Sequence, residues 1–193
     1  TRDVAALTTA QVAALETADV AALTTAQVAG MTTAQINTLS TDQAKALTTA
    51  QVVALTTAQA AALTTADIAA LSTAQIAALE TADLAALSTT QIKALTSDQA
   101  AALTTAQLGQ FSTTQLGGFS TAGVKGLTTA QIAALTTAQI TGITTAQVAA
   151  LATTQVAAIE TADLAAMTTT QLRALTSSQA ASSIGGGLVS RKR

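Results

Sequence analysis

Three short segments pair carboxylates at a spacing that can do chemistry: Glu16-Thr17-Ala18-Asp19, Glu80-Thr81-Ala82-Asp83 and Glu160-Thr161-Ala162-Asp163. Carboxylates three residues apart share one face of a helical turn, where they can hold a divalent cation or act as acid and base. The rest of the inventory argues against both roles. Among 193 residues there is no His, Cys, Trp, Tyr or Pro, and the two aromatic residues are Phe111 and Phe119. Nothing remains to complete a nucleophile and base, or a metal site with nitrogen or sulfur ligands. The expectation is therefore no enzyme, and no catalytic, cofactor-binding or metal-binding residue. At a helix start the same carboxylates satisfy backbone N–H groups and complement the helix dipole, which accounts for them without a ligand.

Regular rows of threonine are the other chemical candidate, since spaced hydroxyls can match ice or a polysaccharide surface. Capping and corner formation are the structural reading of the same residues. With 8 basic and 10 acidic residues and a net charge of −2, the chain has no field to attract nucleic acid. A hydroxyl residue or Glu interrupts every apolar stretch within about eight residues, so no segment is long enough to insert in a membrane. No small-molecule substrate is implied, and the partner that remains is the chain itself.

What positions these residues is an eight-residue repeat with consensus Leu-Thr-Thr-Ala-Gln-Val-Ala-Ala. Stepping by eight from Leu7 to Leu175 meets an apolar residue at all 22 positions, with Met31, Phe111, Phe119, Ile143 and Met167 among the variants. Two residues after each stands Thr in 20 octets and Ser in two, Ser97 and Ser177. Four residues after it stands Gln, replaced by Asp19, Asp67, Asp83, Asp163 and Gly123. The next position is Val, Ile or Leu, with Ala in four octets.

Ala, Leu and Gln favour helix, and Ala is poor in strands. One continuous helix is excluded, because eight residues at 100° each advance the Leu by about 80° per octet and leave no apolar stripe. Thr-Thr-Ala-Gln matches a capping box instead, so each octet predicts about six helical residues, then a tight corner at the hydroxyl pair. Which hydroxyl is the cap stays open: the first fits the box spacing, yet Glu16, Glu80 and Glu160 replace it. The fold class expected is all-α, a solenoid of short capped helices, one per octapeptide; a β-solenoid is the alternative.

The charged variants suggest the size of the coil. Divided by sixteen, Asp3, Asp19, Asp67, Asp83 and Asp163 leave three, whereas Lys45, Lys93, Lys125 and Arg173 leave thirteen; Asp42 and Asp98 do not follow. This predicts two antiparallel helices per sixteen-residue coil, giving the rod an acidic and a basic side. A duplication unit of sixteen without structural meaning is the other reading. One octet buries too little apolar surface to offset the ordering of its residues, so stability must come from stacked neighbours. The domain expected is 1–182, followed by a Gly-rich basic tail, 183–193. Thr1 already occupies a hydroxyl position, and a start in mid-repeat predicts a longer parent.

Leu-Thr-Thr-Ala-Gln-Val is similar over six residues to the opening of the repeats in transcription-activator-like DNA-binding effectors. The Pro, the repeat length and the basic residues of that family are missing here, so DNA binding does not follow. Over residues 1 to about 182 the chain resembles Leu-Thr-Thr-Ala-Gln-Ile-Ala-Ala octapeptide arrays of large secreted or surface-exposed bacterial proteins, often described as adhesins or haem-utilisation proteins. A haem role is not implied, for want of His, Cys or Tyr as axial ligand. The resemblance implies an extracellular or cell-surface structural protein. It is read first as a self-assembling fibre or filament subunit, second as a passive stalk or spacer of an adhesin, and third as an ice- or glycan-binding threonine array.

Overall fold

The computed structural model describes the backbone of residues 4–189 and the side chains of residues 4–183. Among the described residues there are 22 α-helices, a short 3-10 turn η1 (Val4–Ala6) and no strand. The all-α solenoid is the fold, and the β alternative falls away. Each helix begins where the capping box predicts. Ahead of the first, Thr8 sits in extended conformation, its hydroxyl accepts from the Gln11 N–H at 3.2 Å, and the Gln11 Oε1 accepts from the Thr8 N–H at 2.8 Å. The first hydroxyl is thus the cap. The second, Thr9, opens the helix and is exposed, as are its equivalents along the chain.

Two consecutive extended residues make the corner. Leu63 (φ −58°, ψ 138°) ends one helix, and Thr64 (φ −72°, ψ 162°) caps the next. No described residue has a positive φ. These corners therefore need no Gly or Asn, which explains how so uniform a sequence turns so often.

The chain forms two compact units, Thr1–Ala94 and Leu95–Arg193. In the first, α1 (Thr9–Ala13), α4 (Thr33–Asn37), α7 (Thr57–Ala62) and α10 (Thr81–Ala86) stack in succession. So do α2 (Thr17–Ala22), α5 (Thr41–Ala46), α8 (Thr65–Ala70) and α11 (Thr89–Ala94). The third stack is η1, α3 (Thr25–Ala29), α6 (Thr49–Val53) and α9 (Thr73–Ala78). The second unit repeats the arrangement with α12 (Ser97–Ala102), α15 (Thr121–Gly126), α18 (Thr145–Ala150) and α21 (Thr169–Ala174). Beside it run α13 (Thr105–Gly109), α16 (Thr129–Ala133), α19 (Thr153–Ala157) and α22 (Ser177–Val189), and finally α14 (Thr113–Gly118), α17 (Thr137–Gly142) and α20 (Thr161–Ala166).

Within each unit a helix thus packs on the third one after it, so a coil holds three helices and 24 residues, not the two helices and sixteen residues that the charge parity suggests. Within each unit three walls enclose an interior that takes both apolar positions of most octets: Ile36, Val52, Ile68 and Ile76 are 0 % exposed, and the corner residues Leu47, Leu63 and Leu71 only 3 %. The expected acidic and basic sides do not separate either. In the first unit a single stack carries Asp19, Lys45, Asp67 and Lys93, because 24 is one and a half times sixteen and parity alternates from coil to coil.

The second unit departs from uniformity in a compensated way. Phe111 and Phe119 replace two corner leucines and meet edge to face, centroids 5.6 Å apart at 78°. A Cβ on Gly123, where other octets have Gln or Asp, would lie 3.2 Å from the Phe119 ring, so the ring fills space that a longer side chain takes elsewhere. Gly142 lets α17 close on α14, since a Cβ there would come within 2.6 Å of the Thr113 carbonyl oxygen. At the end of the unit α22 runs through three glycines to Val189. The boundary expected at residue 183 falls inside this helix, and residues 190–193 lie outside the described residues.

Candidate functional site

The residue on which the assembly turns is the glutamine at the third position of each helix. Its Oε1 accepts from the N–H of the cap residue, as between Thr48 and Gln51 at 2.7 Å. Its Nε2 points the other way, into the preceding coil: Gln51 donates to the carbonyls of Val20 at 2.8 Å and Leu23 at 2.7 Å. The same pair recurs 31 and 28 residues back for Gln35, Gln43 and Gln59 in the first unit and for Gln139, Gln147, Gln155, Gln171 and Gln179 in the second. These side chains are buried, 2–5 % exposed. One amide therefore closes a helix start and staples it to the helix end beneath, adding a second donor to the last-turn carbonyl, which already accepts from the corner N–H, and giving the corner carbonyl a donor as well.

The sequence carries a signal for this second role. A capping box takes Glu as readily as Gln, and the helix dipole favours Glu. Yet among 22 octets the position is Gln in 17 and Glu in none. Where Gln stands it supplies a donor as well as an acceptor, which Glu would not, although four octets do with the acceptor of Asp. Reading the box for its cap alone missed that.

The carboxylate pairs take capping positions. The Asp19 carboxylate accepts from the Glu16 N–H at 3.2 Å, and Asp67 accepts from the Thr64 N–H at 2.9 Å and from the Thr64 hydroxyl at 2.6 Å. Among the described residues no group of three or more His, Cys, Asp or Glu is placed to hold a metal ion. Nor is any helix there long and apolar enough to cross a membrane.

Asp83 is the uncomfortable member. It is 2 % exposed, and its Oδ2 has no hydrogen-bond partner. Burial pushes its carboxyl above the ordinary value of 3.8, and the nearby Glu80 charge pushes the same way; hydrogen bonds from the Thr57 hydroxyl and the Glu80 backbone pull against them. Because the folded pKa is the higher one, the folded chain binds this proton more tightly than the unfolded chain. Stability contributed by protonation is present below the ordinary value and lost as pH rises through the folded value. A glutamine at 83 in the common register would instead donate to the carbonyls of Val52 and Leu55. Asp83→Gln is expected to stabilise the first unit by about 1–3 kcal/mol at pH 7. Denaturant melts at falling pH should show that advantage shrink; an advantage independent of pH would contradict the assignment.

One cap is missing. Ala152 occupies the cap position of α19 and offers no side-chain acceptor, although Gln155 still accepts from its N–H at 2.7 Å. Ala152→Thr is expected to raise the stability of the second unit by about 1 kcal/mol, read as a higher denaturant midpoint.

A family model described as the ALTTAQ repeat matches residues 1–33, 12–49, 29–57, 46–81, 76–113, 105–137 and 156–182. No curated protein and no solved structure matches the chain. The matched segments cover most of the sequence, and the residues that name the repeat are those that form the corner, the cap and the staple; the chain belongs to the ALTTAQ repeat family.

Proposed function

We propose that the chain is a non-catalytic structural scaffold that assembles with copies of itself into a fibre. The observation that carries the reading is the glutamine staple: each coil presents the carbonyls that the next coil's amides need, so the fold is a template for its own extension. Repeat arrays of this kind have no built-in limit to length unless an end is capped. The residues on which chemistry would have to rest, the carboxylate pairs, stand at helix starts, where Asp19 accepts from the Glu16 N–H and Asp83 from the Glu80 backbone, which supports a structural role. An extracellular or cell-surface setting belongs to the proposal through the resemblance to surface arrays of bacterial proteins.

Negative-stain microscopy of the purified chain at rising concentration tests it. Particles that lengthen with concentration are the expected result. Uniform short particles at every concentration would overturn self-assembly and leave the passive spacer reading.

A further inference from the structure

Glu takes the cap position in three octets, and in each of them Asp takes the third helical position: Glu16 with Asp19, Glu80 with Asp83 and Glu160 with Asp163. Like charges three residues apart on a helix repel, yet six of the chain's 10 acidic residues stand in such pairs. Where Thr is the cap the Asp is served locally, since Asp67 accepts from both the N–H and the hydroxyl of Thr64. Glu80 removes that hydroxyl and brings a second carboxylate in its place.

What Asp83 meets in the preceding coil is also oxygen. In the octets on either side, Gln75 donates to the corner carbonyl of Leu47 at 2.6 Å and Gln91 to that of Leu63 at 2.7 Å. The same register brings residue 83 to the corner carbonyl of Leu55. Asp83 does reach that corner, because one of its oxygens accepts from the hydroxyl of Thr57, two residues past Leu55. A glutamine amide would donate there; a carboxylate faces the carbonyl acceptor to acceptor. The other oxygen, Oδ2, has no hydrogen-bond partner, in a residue only 2 % exposed. Burial raises the Asp83 carboxyl, and the charge of Glu80 lies close enough to add to it. Acceptors gathered without a donor are the surroundings that a hard cation satisfies.

We propose that Asp83 and Glu80, with the Leu55 carbonyl, bind a calcium ion that ties the start of α10 to the corner before α7. Two carboxylates balance the two charges of the ion. Calcium suits the set because it takes carboxylate and carbonyl oxygens in irregular geometry, whereas magnesium demands a near-ideal octahedron and keeps its waters. With so few protein ligands, the dissociation constant belongs in the range of about 10⁻⁴–10⁻³ M. The ion does for this joint what the amide does for its neighbours, and it makes the stability of the first unit respond to calcium. This assigns a ligand to one of the carboxylate pairs for which the sequence alone requires none, and it does not depend on self-assembly.

Calorimetric titration of calcium chloride into the chelator-treated full chain at pH 7 tests the site, with Asp83→Asn and Glu80→Gln as variants of nearly unchanged shape. The parent is expected to bind calcium, and to melt about 5–10 °C higher in calcium at tenfold its dissociation constant. Asp83→Asn should abolish both effects, and Glu80→Gln should weaken binding by roughly tenfold. Magnesium should bind the parent at least about tenfold more weakly than calcium. Circular dichroism matching the parent shows that each variant keeps the fold. Asp83→Gln, whose amide rebuilds the staple, removes the carboxylate by a second route and should likewise not respond. A parent indifferent to calcium up to about 10 mM overturns the site. So does a calcium effect that survives both substitutions at 83, or one that magnesium or sodium chloride of equal ionic strength reproduces, since that is screening of surface charge.

Discussion

Gln147→Leu is expected to cost the second unit about 3–5 kcal/mol, a large fraction of what an ordinary domain possesses. The side chain is about the same size, so little is lost in packing. The loss lies in what it leaves behind: the Thr144 N–H loses its acceptor at 2.7 Å and the Phe119 carbonyl its donor at 2.7 Å, while the Leu116 carbonyl loses a second donor at 2.9 Å but keeps the Phe119 N–H at 3.2 Å. Each buried polar group left without a partner costs about 1–3 kcal/mol, and the groups are close enough that the costs do not simply add. Gln11→Leu is the internal comparison. Gln11 is exposed and makes the cap contact alone, so the same change there should cost about 1 kcal/mol. Denaturant unfolding of the two variants decides the matter: equal losses would mean that the staple contributes nothing beyond the cap.

The second large effect is expected at Gly126. Substitution of a helical glycine normally stabilises, by about 1 kcal/mol for alanine. At this position a Cβ would fall on the backbone of Ser97 at the start of α12, with the Ser97 Cα at 2.6 Å, and backbone cannot swing aside as a side-chain tip can. Overpacking costs about 1–3 kcal/mol, and against unyielding backbone the upper end applies, so it outweighs propensity and Gly126→Leu should destabilise the second unit by about 1–2 kcal/mol net. Gly109 is the control, since nothing lies within 4 Å of a Cβ there; Gly109→Ala should gain about 0.5–1 kcal/mol. Thermal melts showing the two glycines shift in the same direction would refute the close approach of α15 to α12.

How much of this was legible in the octet follows from the range of each interaction. A cap reaches three residues along the chain, so Thr48-Thr49-Ala50-Gln51 announces its own helix start, and the apolar pair Val52 and Leu55 announces a buried face. Even the choice of cap needed backbone geometry, because Thr48 and Thr49 are chemically alike and differ only in which of them stands in extended conformation. The amide of Gln51 reaches 31 residues back, to Val20, and no local pattern states that distance.

The sequence by itself determined the short capped helices, their eight-residue spacing and the buried rows. Tertiary structure alone decided that three helices close a coil, since that depends on the angle through which two extended residues turn the chain. Charge parity misled because 24 and 16 share a factor of eight, so a sixteen-residue pattern laid on a 24-residue coil places opposite charges in one stack. The consequences of single residues, such as the unpartnered oxygen of Asp83 and the contact that Gly126 permits, likewise depend on neighbours more than twenty residues away, which only the closed coil brings together.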